Sequence, residues 1–163
     1  MTANPQVLKI YKKTGFEIQN CRQDPESKAY HACSFDLNGV PVICRKAKIT
    51  PKKSGQFVTF WKRSANGPIR PFEASDLFAL LLVIVESGNH IGQFVFPKAA
   101  LIQRNIVSTP DREGKRAFRV YPPWEATSRR QAAYSQQWQT EYFIDLNTDF
   151  PQRLTTKLHA TIQ

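Results

Sequence analysis

Apolar residues in this chain fall mostly into short runs that alternate with polar ones, and a period of two predicts strands more often than helices. Pro5 to Lys13 is the first exception: Val7, Leu8, Ile10 and Tyr11 have near-helical spacing and Gly15 is a stop, which predicts a short amphipathic helix. Phe16 to Lys28 is polar, carries the turn signal Asp24-Pro25 and predicts a loop. Tyr30 to Asp36 then alternates into Leu37-Asn38-Gly39-Val40. Asn-Gly accepts positive φ at both central positions, so a two-residue hairpin is expected, with Leu37 opposite Val40 and Asp36 opposite Pro41. Its second strand is expected over Val40 to Ile49. A turn at Pro51-Lys52-Lys53-Ser54-Gly55 leads to a third strand, Gly55 to Lys62, which Ser64 to Pro68 ends.

Leu77 to Val85 is a run of nine residues in which no charge interrupts the apolar positions and no periodicity shows. Its length and β-branched content predict a central strand buried on both faces. Gly88-Asn89-His90 turns the chain into Ile91 to Phe96, and Pro97 suits the first position of a helix over Lys98 to Arg104. A short strand at Ile106-Val107, a loop over Asp111 to Lys115 and a strand over Ala117 to Tyr121, stopped by Pro122-Pro123, are expected next. Ser128 opens a long helix to about Leu146, with Trp138, Tyr142 and Ile144 on its apolar side and Arg129, Arg130 and several glutamines facing outward. Gly55-Gln56-Phe57-Val58 recurs as Gly92-Gln93-Phe94-Val95, as expected of two neighbouring strands with similar packing demands. Mixed strands with few helices predict an α+β (α/β-like) fold. Residues 1–146 would form a single domain, a central mixed β-sheet flanked by helices, and residues 147–163 a polar C-terminal tail.

Composition narrows the function. At 163 residues the chain can bury roughly 70% of its unfolded surface without disulfides or metal. Its longest apolar run is half the length of a membrane span, about 18 residues, and its first residues lack the order of a secretory signal. Cys21, Cys33 and Cys44 are odd in number, widely spaced and without a CxxC pair, which argues against a disulfide framework and a zinc site. A cytoplasmic protein is expected. A net charge of +10 points to nucleic acid as the partner, and to a membrane surface less, because the cations lie on strand-like segments.

The charge is concentrated. Arg45, Lys46, Lys48, Lys52, Lys53, Lys62, Arg63 and Arg70 follow one another with no Asp or Glu between Leu37 and Phe72, and Phe57, Phe60 and Trp61 stand among them. Cations interleaved with aromatics suit an anionic polymer with stackable bases.

Joint occurrence of several phrases carries a family resemblance. Ala47-Lys48-Ile49-Thr50-Pro51, Gly55 to Thr59, Trp61-Lys62-Arg63, Gly67-Pro68-Ile69, Gly88-Asn89-His90, Gly92 to Lys98, Glu113 to Arg116 and Arg119 to Trp124, in that order, resemble the MepB family of small bacterial cytoplasmic proteins. The resemblance runs from about Pro5 to Asp145. It implies a restriction-endonuclease-like fold and a role in binding DNA or RNA, with no secure enzymatic activity.

Such a scaffold raises the question of a metal-dependent nuclease, which needs an acid on one strand and an acid and a lysine two residues apart on the next. Lys48 suits the lysine, but position 46 is Lys where the acid belongs, and hairpin parity turns Asp36 away from Lys46 and Lys48. Asp76 and Glu86 bracket the apolar strand as alternative acids. No Walker loop, GxSxG elbow or HExxH is present. The expectation is therefore a nucleic-acid binder that uses a basic groove with aromatic stacking on a degenerate nuclease-like scaffold, with no catalytic residues, metal or cofactor, Mg²⁺ entering only under the nuclease alternative. A nucleotide-ligand pocket or a protein-interaction module is the further alternative. The candidate nucleic-acid contacts are Arg45, Lys46, Lys48, Lys52, Lys53, Trp61, Lys62, Arg63, His90, Lys98, Lys115, Arg116, Arg119, Tyr121 and Trp124. Of these, Trp61 and Trp124 equally suit core anchors.

Overall fold

The computed structural model describes Tyr11, residues 15–147, and Gln152, Thr155, Thr156 and His159. The helix expected over Pro5 to Lys13 lies outside the described residues, apart from Tyr11, which is helical. Most of the expected tail does too, although His159 is described and sets its ring 5.2 Å from that of Phe16.

The strands are β1 (Ile18–Gln23), β2 (Cys33–Leu37), β3 (Val40–Lys46), β4 (Lys48–Ile49), β5 (Gln56–Thr59), β6 (Lys62–Arg63), β7 (Ile69–Arg70), β8 (Leu80–Ser87), β9 (His90–Pro97), β10 (Ala117–Val120) and β11 (Phe143–Asp145), and the helices are α1 (Lys98–Gln103) and α2 (Arg130–Gln139). The large sheet has six strands in the order β1-β2-β3-β8-β9-β11, a second sheet has the order β10-β5-β4, and β6 and β7 form a ribbon. Neighbours in the large sheet are antiparallel except β3 and β8, which run parallel. This is an α+β domain built on a mixed sheet.

β8 explains its own aperiodic sequence. Leu80, Leu82 and Ile84 enter a core with Tyr11, Phe16, Phe35, Leu37 and Val42. Leu81, Val83 and Val85 enter another with Val58, Phe60, Phe94, Phe96, Leu101, Phe118, Val120 and Trp138. A strand buried on both faces has no polar side to alternate with. The expected hairpin forms, with Asn38 and Gly39 at φ 50° and 82° and with Leu37 opposite Val40.

Parallel neighbours need a crossover connection. Between β3 and β8 it holds β4, β5 and the ribbon, so the basic stretch lies on the connection that lets β8 enter the sheet centre.

Six expectations are corrected. Residues 18–23 of the expected loop form an edge strand, with a bulge between Gln19 and Arg22 where Asn20 takes φ 56°. Such a break in alternation hides a strand from a period-two reading. The strand expected over Val40 to Ile49 divides at Ala47, whose N–H leaves the hairpin for the carbonyl of Ile84, and β4 joins the second sheet. Ile106 and Val107 form no strand: both are buried, and both N–H groups donate to the carbonyl of Leu101 at the end of α1. The long helix stops at Gln139, a 3-10 turn follows, and Phe143–Asp145 pairs with β9. Pairing with the free edge of β9 outweighs the helical pattern, and the run Tyr142-Phe143-Ile144 suits a strand. Pro97 precedes α1 as its N-cap instead of occupying its first turn. The repeated Gly-Gln-Phe-Val segments lie in different sheets, in β5 and β9, and are not paired neighbours.

Candidate nucleic-acid interface

Along β5 the burial alternates, Gln56 and Val58 inward, Phe57 and Thr59 half-buried on the other side. β10 repeats this with Phe118 and Val120 inward and Ala117 and Arg119 outward. Register places Lys48 opposite Phe57 and Phe57 opposite Arg119. One row across the second sheet therefore reads Lys48, Phe57, Arg119 on the side away from the core. Tyr30 joins it: its ring meets that of Phe57 edge-on at 6.3 Å, and the Lys48 ammonium stands 4.9 Å over it.

At one end of this face is the turn over residues 50–55, bearing Lys52 and Lys53. Arg119 holds it, donating from Nε to the Ser54 carbonyl at 3.0 Å and from Nη2 to Thr50 Oγ1 at 2.7 Å and the Gly55 carbonyl at 3.1 Å. Gly55 donates its N–H to Glu125 Oε1 at 2.7 Å. Its φ is +77°, and a Cβ there would come within 2.6 Å of the Tyr121 ring, so glycine is required twice over. At the other end Phe60 donates to the carbonyl of Arg116, which brings Lys115 and Arg116 beside the end of β5.

Tertiary structure divides the sequence-predicted residues into two groups. Lys48, Lys52, Lys53 and Lys115 are exposed and make no ion pair among the described residues. The others are engaged. Arg45 is corrected outright: it is 1% exposed, paired with Asp24 at 3.3 Å, and out of reach of any phosphate. Lys46 pairs with Glu86 at 3.2 Å, Arg63 with Glu26 at 2.9 Å and Arg116 with Glu113 at 3.0 Å. Lys62 lies between Asp76 at 2.8 Å and Glu73 at 3.1 Å. Burial pushes its pKa down, but the hydrogen bonds and charges of these two carboxylates outweigh that and raise it. Lys98 donates to the carbonyls of Ala74, at 2.9 Å, and Asp76, with its ammonium over Phe78, and so fastens the 74–76 turn.

The aromatics divide too. Trp61 is half-buried with Arg63 over its ring. Tyr121 packs on Gly55, and Trp124 lies between Phe143 and the exposed His90, whose ring stacks on it at 4.7 Å. The Trp124 indole N–H is buried and meets no acceptor among the described residues. Tyr30 was missed by sequence reasoning, because nothing along the chain ties it to Phe57.

Among the described residues there is no group of three or more His, Cys, Asp or Glu that would hold a metal ion. Asp36 stands opposite Pro41 in the large sheet and accepts from Asn20, Asp76 and Glu86 are paired with lysines, and Lys48 is in the other sheet. The residues present do not fit a Mg²⁺ site of the nuclease type. No helix among the described residues is long and apolar enough to cross a membrane.

The family model described as MepB-like matches residues 24–145. A crystal structure of MepB superposes with a TM-score of 0.80 at 30% sequence identity, covering 88% of this chain and 97% of that one. No curated protein matches.

Proposed function

The chain belongs to the MepB-like family, and from that premise we propose that it is a cytoplasmic protein that binds nucleic acid on the outward face of its second sheet and does not cleave it. The observation that carries this reading is the row Lys48, Phe57, Arg119 with the Lys52-Lys53 turn fixed at its end. Lys48, Lys52 and Lys53 there are exposed with no carboxylate partner among the described residues, and the Phe57 ring lies between Lys48 and Arg119, whose guanidinium holds the turn. Phosphates supply the missing counter-charge and bases the missing stacking partner. The restriction-endonuclease-like scaffold belongs to the same reading, with Lys46 where the metal-binding site carries an acid and with Asp76 and Glu86 paired to Lys62 and Lys46.

Binding to labelled DNA and RNA, measured by anisotropy across a salt series, tests it. Lys48, Lys52, Lys53 and Lys115 meeting four phosphates give a log-log slope of about −2.8 on single strands. Reversing charge at Lys48, Lys52 and Lys53 flattens that slope, whereas reversal at Lys46 does so much less, because Glu86 already compensates it. Binding that ignores ionic strength, or cleavage of the probe in Mg²⁺ or Mn²⁺, defeats the proposal.

A further inference from the structure

Resting on that reading, we infer that the preferred ligand of this face is single-stranded nucleic acid, with its bases stacked on Phe57 and Tyr30 and its phosphates on the flanking lysines. Phe57 lies at the centre of the row: Lys48 is one strand away on one side and Arg119 one strand away on the other. Strands are about 4.8 Å apart, so the two flanking backbones are about 10 Å apart with the ring between them. Tyr30 adds a second ring, edge-on to Phe57, and its own ring carries the Lys48 ammonium.

Duplex DNA offers such a face little. Its bases are stacked on one another, and reading them requires an element that projects into a groove, a helix or a two-stranded ribbon. Leu101 of α1 and Trp138 of α2 pack into the core beneath the sheet. The β6–β7 ribbon is held down, since Lys62 is bonded to Glu73 and Asp76 and Arg63 to Glu26. What remains outward is a short face with Phe57 and Tyr30 at its centre and Lys48, Lys52 and Lys53 beside them. An aromatic face meets an unstacked base and misses a stacked one. Because every base presents a π-face and Arg119 is engaged with the turn, the platform carries no donor pattern that selects a sequence.

The test compares four probes of equal length, about 12 nucleotides, within the span a single small domain covers: single-stranded DNA, single-stranded RNA, duplex DNA and an abasic strand that keeps phosphates but has no bases. The expected result is that both single strands bind at least tenfold tighter than the duplex and the abasic strand. Phe57→Ala lowers single-strand affinity about tenfold and leaves the abasic affinity and the salt slope in place. Phe57→Leu, which keeps apolar bulk beneath the surface without a ring, gives the same loss and so separates stacking from packing. Should the duplex bind as tightly as the single strands, or Phe57→Leu bind like the parent, single-strand stacking is wrong while the phosphate interface stands. If no probe binds, the interface itself is wrong and this inference falls with it.

Discussion

Arg45 carries a positive charge inside the molecule at 1% exposure, and Asp24 is the carboxylate that answers it, at 3.3 Å. Burial lowers its pKa, and the Asp24 charge offsets part of that. Its Nη1 donates to the Cys44 carbonyl, and its Nε is buried without a partner among the described residues. Removing Asp24, the one ion-pair partner of Arg45 among the described residues, strands a buried charge, which costs about 3–5 kcal/mol for a fully buried pair. Asp24 keeps 32% of its side chain in water, so Asp24→Ala is expected to destabilise by about 2–3 kcal/mol in urea titration without changing the salt slope of binding. A second expectation concerns alkaline pH. The hydrogen bond with Cys33, then burial, raises the Cys44 thiol above its ordinary 9.0. Burial, then the charge of Cys44, raises the Tyr11 phenol above 10.0 despite the hydrogen bond from Gln93. Both groups favour the protonated form in the folded state, so their stabilisation is complete below the unfolded values and is lost as pH climbs from about 9 through the folded ones. Stability measured from pH 7 to 11 should fall above pH 9, and less steeply in Cys44→Ala. In the sequence, Arg45 is indistinguishable from the lysines around it; only register, which sets it opposite Val83 in the sheet centre, separates them.

Between β4 and β5 the turn depends on neighbours distant in sequence. Arg119 closes it with three hydrogen bonds and Glu125 accepts from Gly55. Gln139, from the end of α2, accepts from Tyr121 and donates to the Arg119 carbonyl, which fixes the strand from which Arg119 reaches. Arg119 is thus a positioning residue, with most of its donors committed to the turn. Replacing it with Ala should weaken single-strand binding about threefold to tenfold by freeing Lys52 and Lys53, at the level of one or two charged hydrogen bonds. Protection of the 50–55 amides against hydrogen exchange should fall in the same variant. A simple phosphate contact at Arg119 would lower affinity without touching that protection. At this scale the hairpin, β5, β8 to β9 and β10 were legible, because each has its own periodicity, turn chemistry or uninterrupted apolar run. β1 and β11 were not: one is bulged and polar, the other is a strand only because β9 has an edge to fill.

Both cores meet on β8, whose alternate residues enter each, so the molecule should lose them together. Leu82→Ala and Val83→Ala, on opposite faces, are each expected to destabilise, Leu82→Ala by about 2–5 kcal/mol, with a single transition whose midpoint is the same by circular dichroism and by tryptophan fluorescence. Separate midpoints would show that the face bearing the candidate interface folds independently. At the same scale the +10 charge is no uniform coat. Acids far along the chain, Asp24, Glu26, Glu73, Asp76 and Glu86, return to neutralise Arg45, Arg63, Lys62 and Lys46. By itself the sequence determined the strand-rich α+β character, the Asn38-Gly39 hairpin and its register, the doubly buried strand and the excess of positive charge, since each follows from residues adjacent in the chain. The tertiary structure alone decided which cations remain unpaired and which aromatic lies among them. Charge pairing and strand adjacency act through space, and the parallel β3–β8 crossover sets which distant residues share a face.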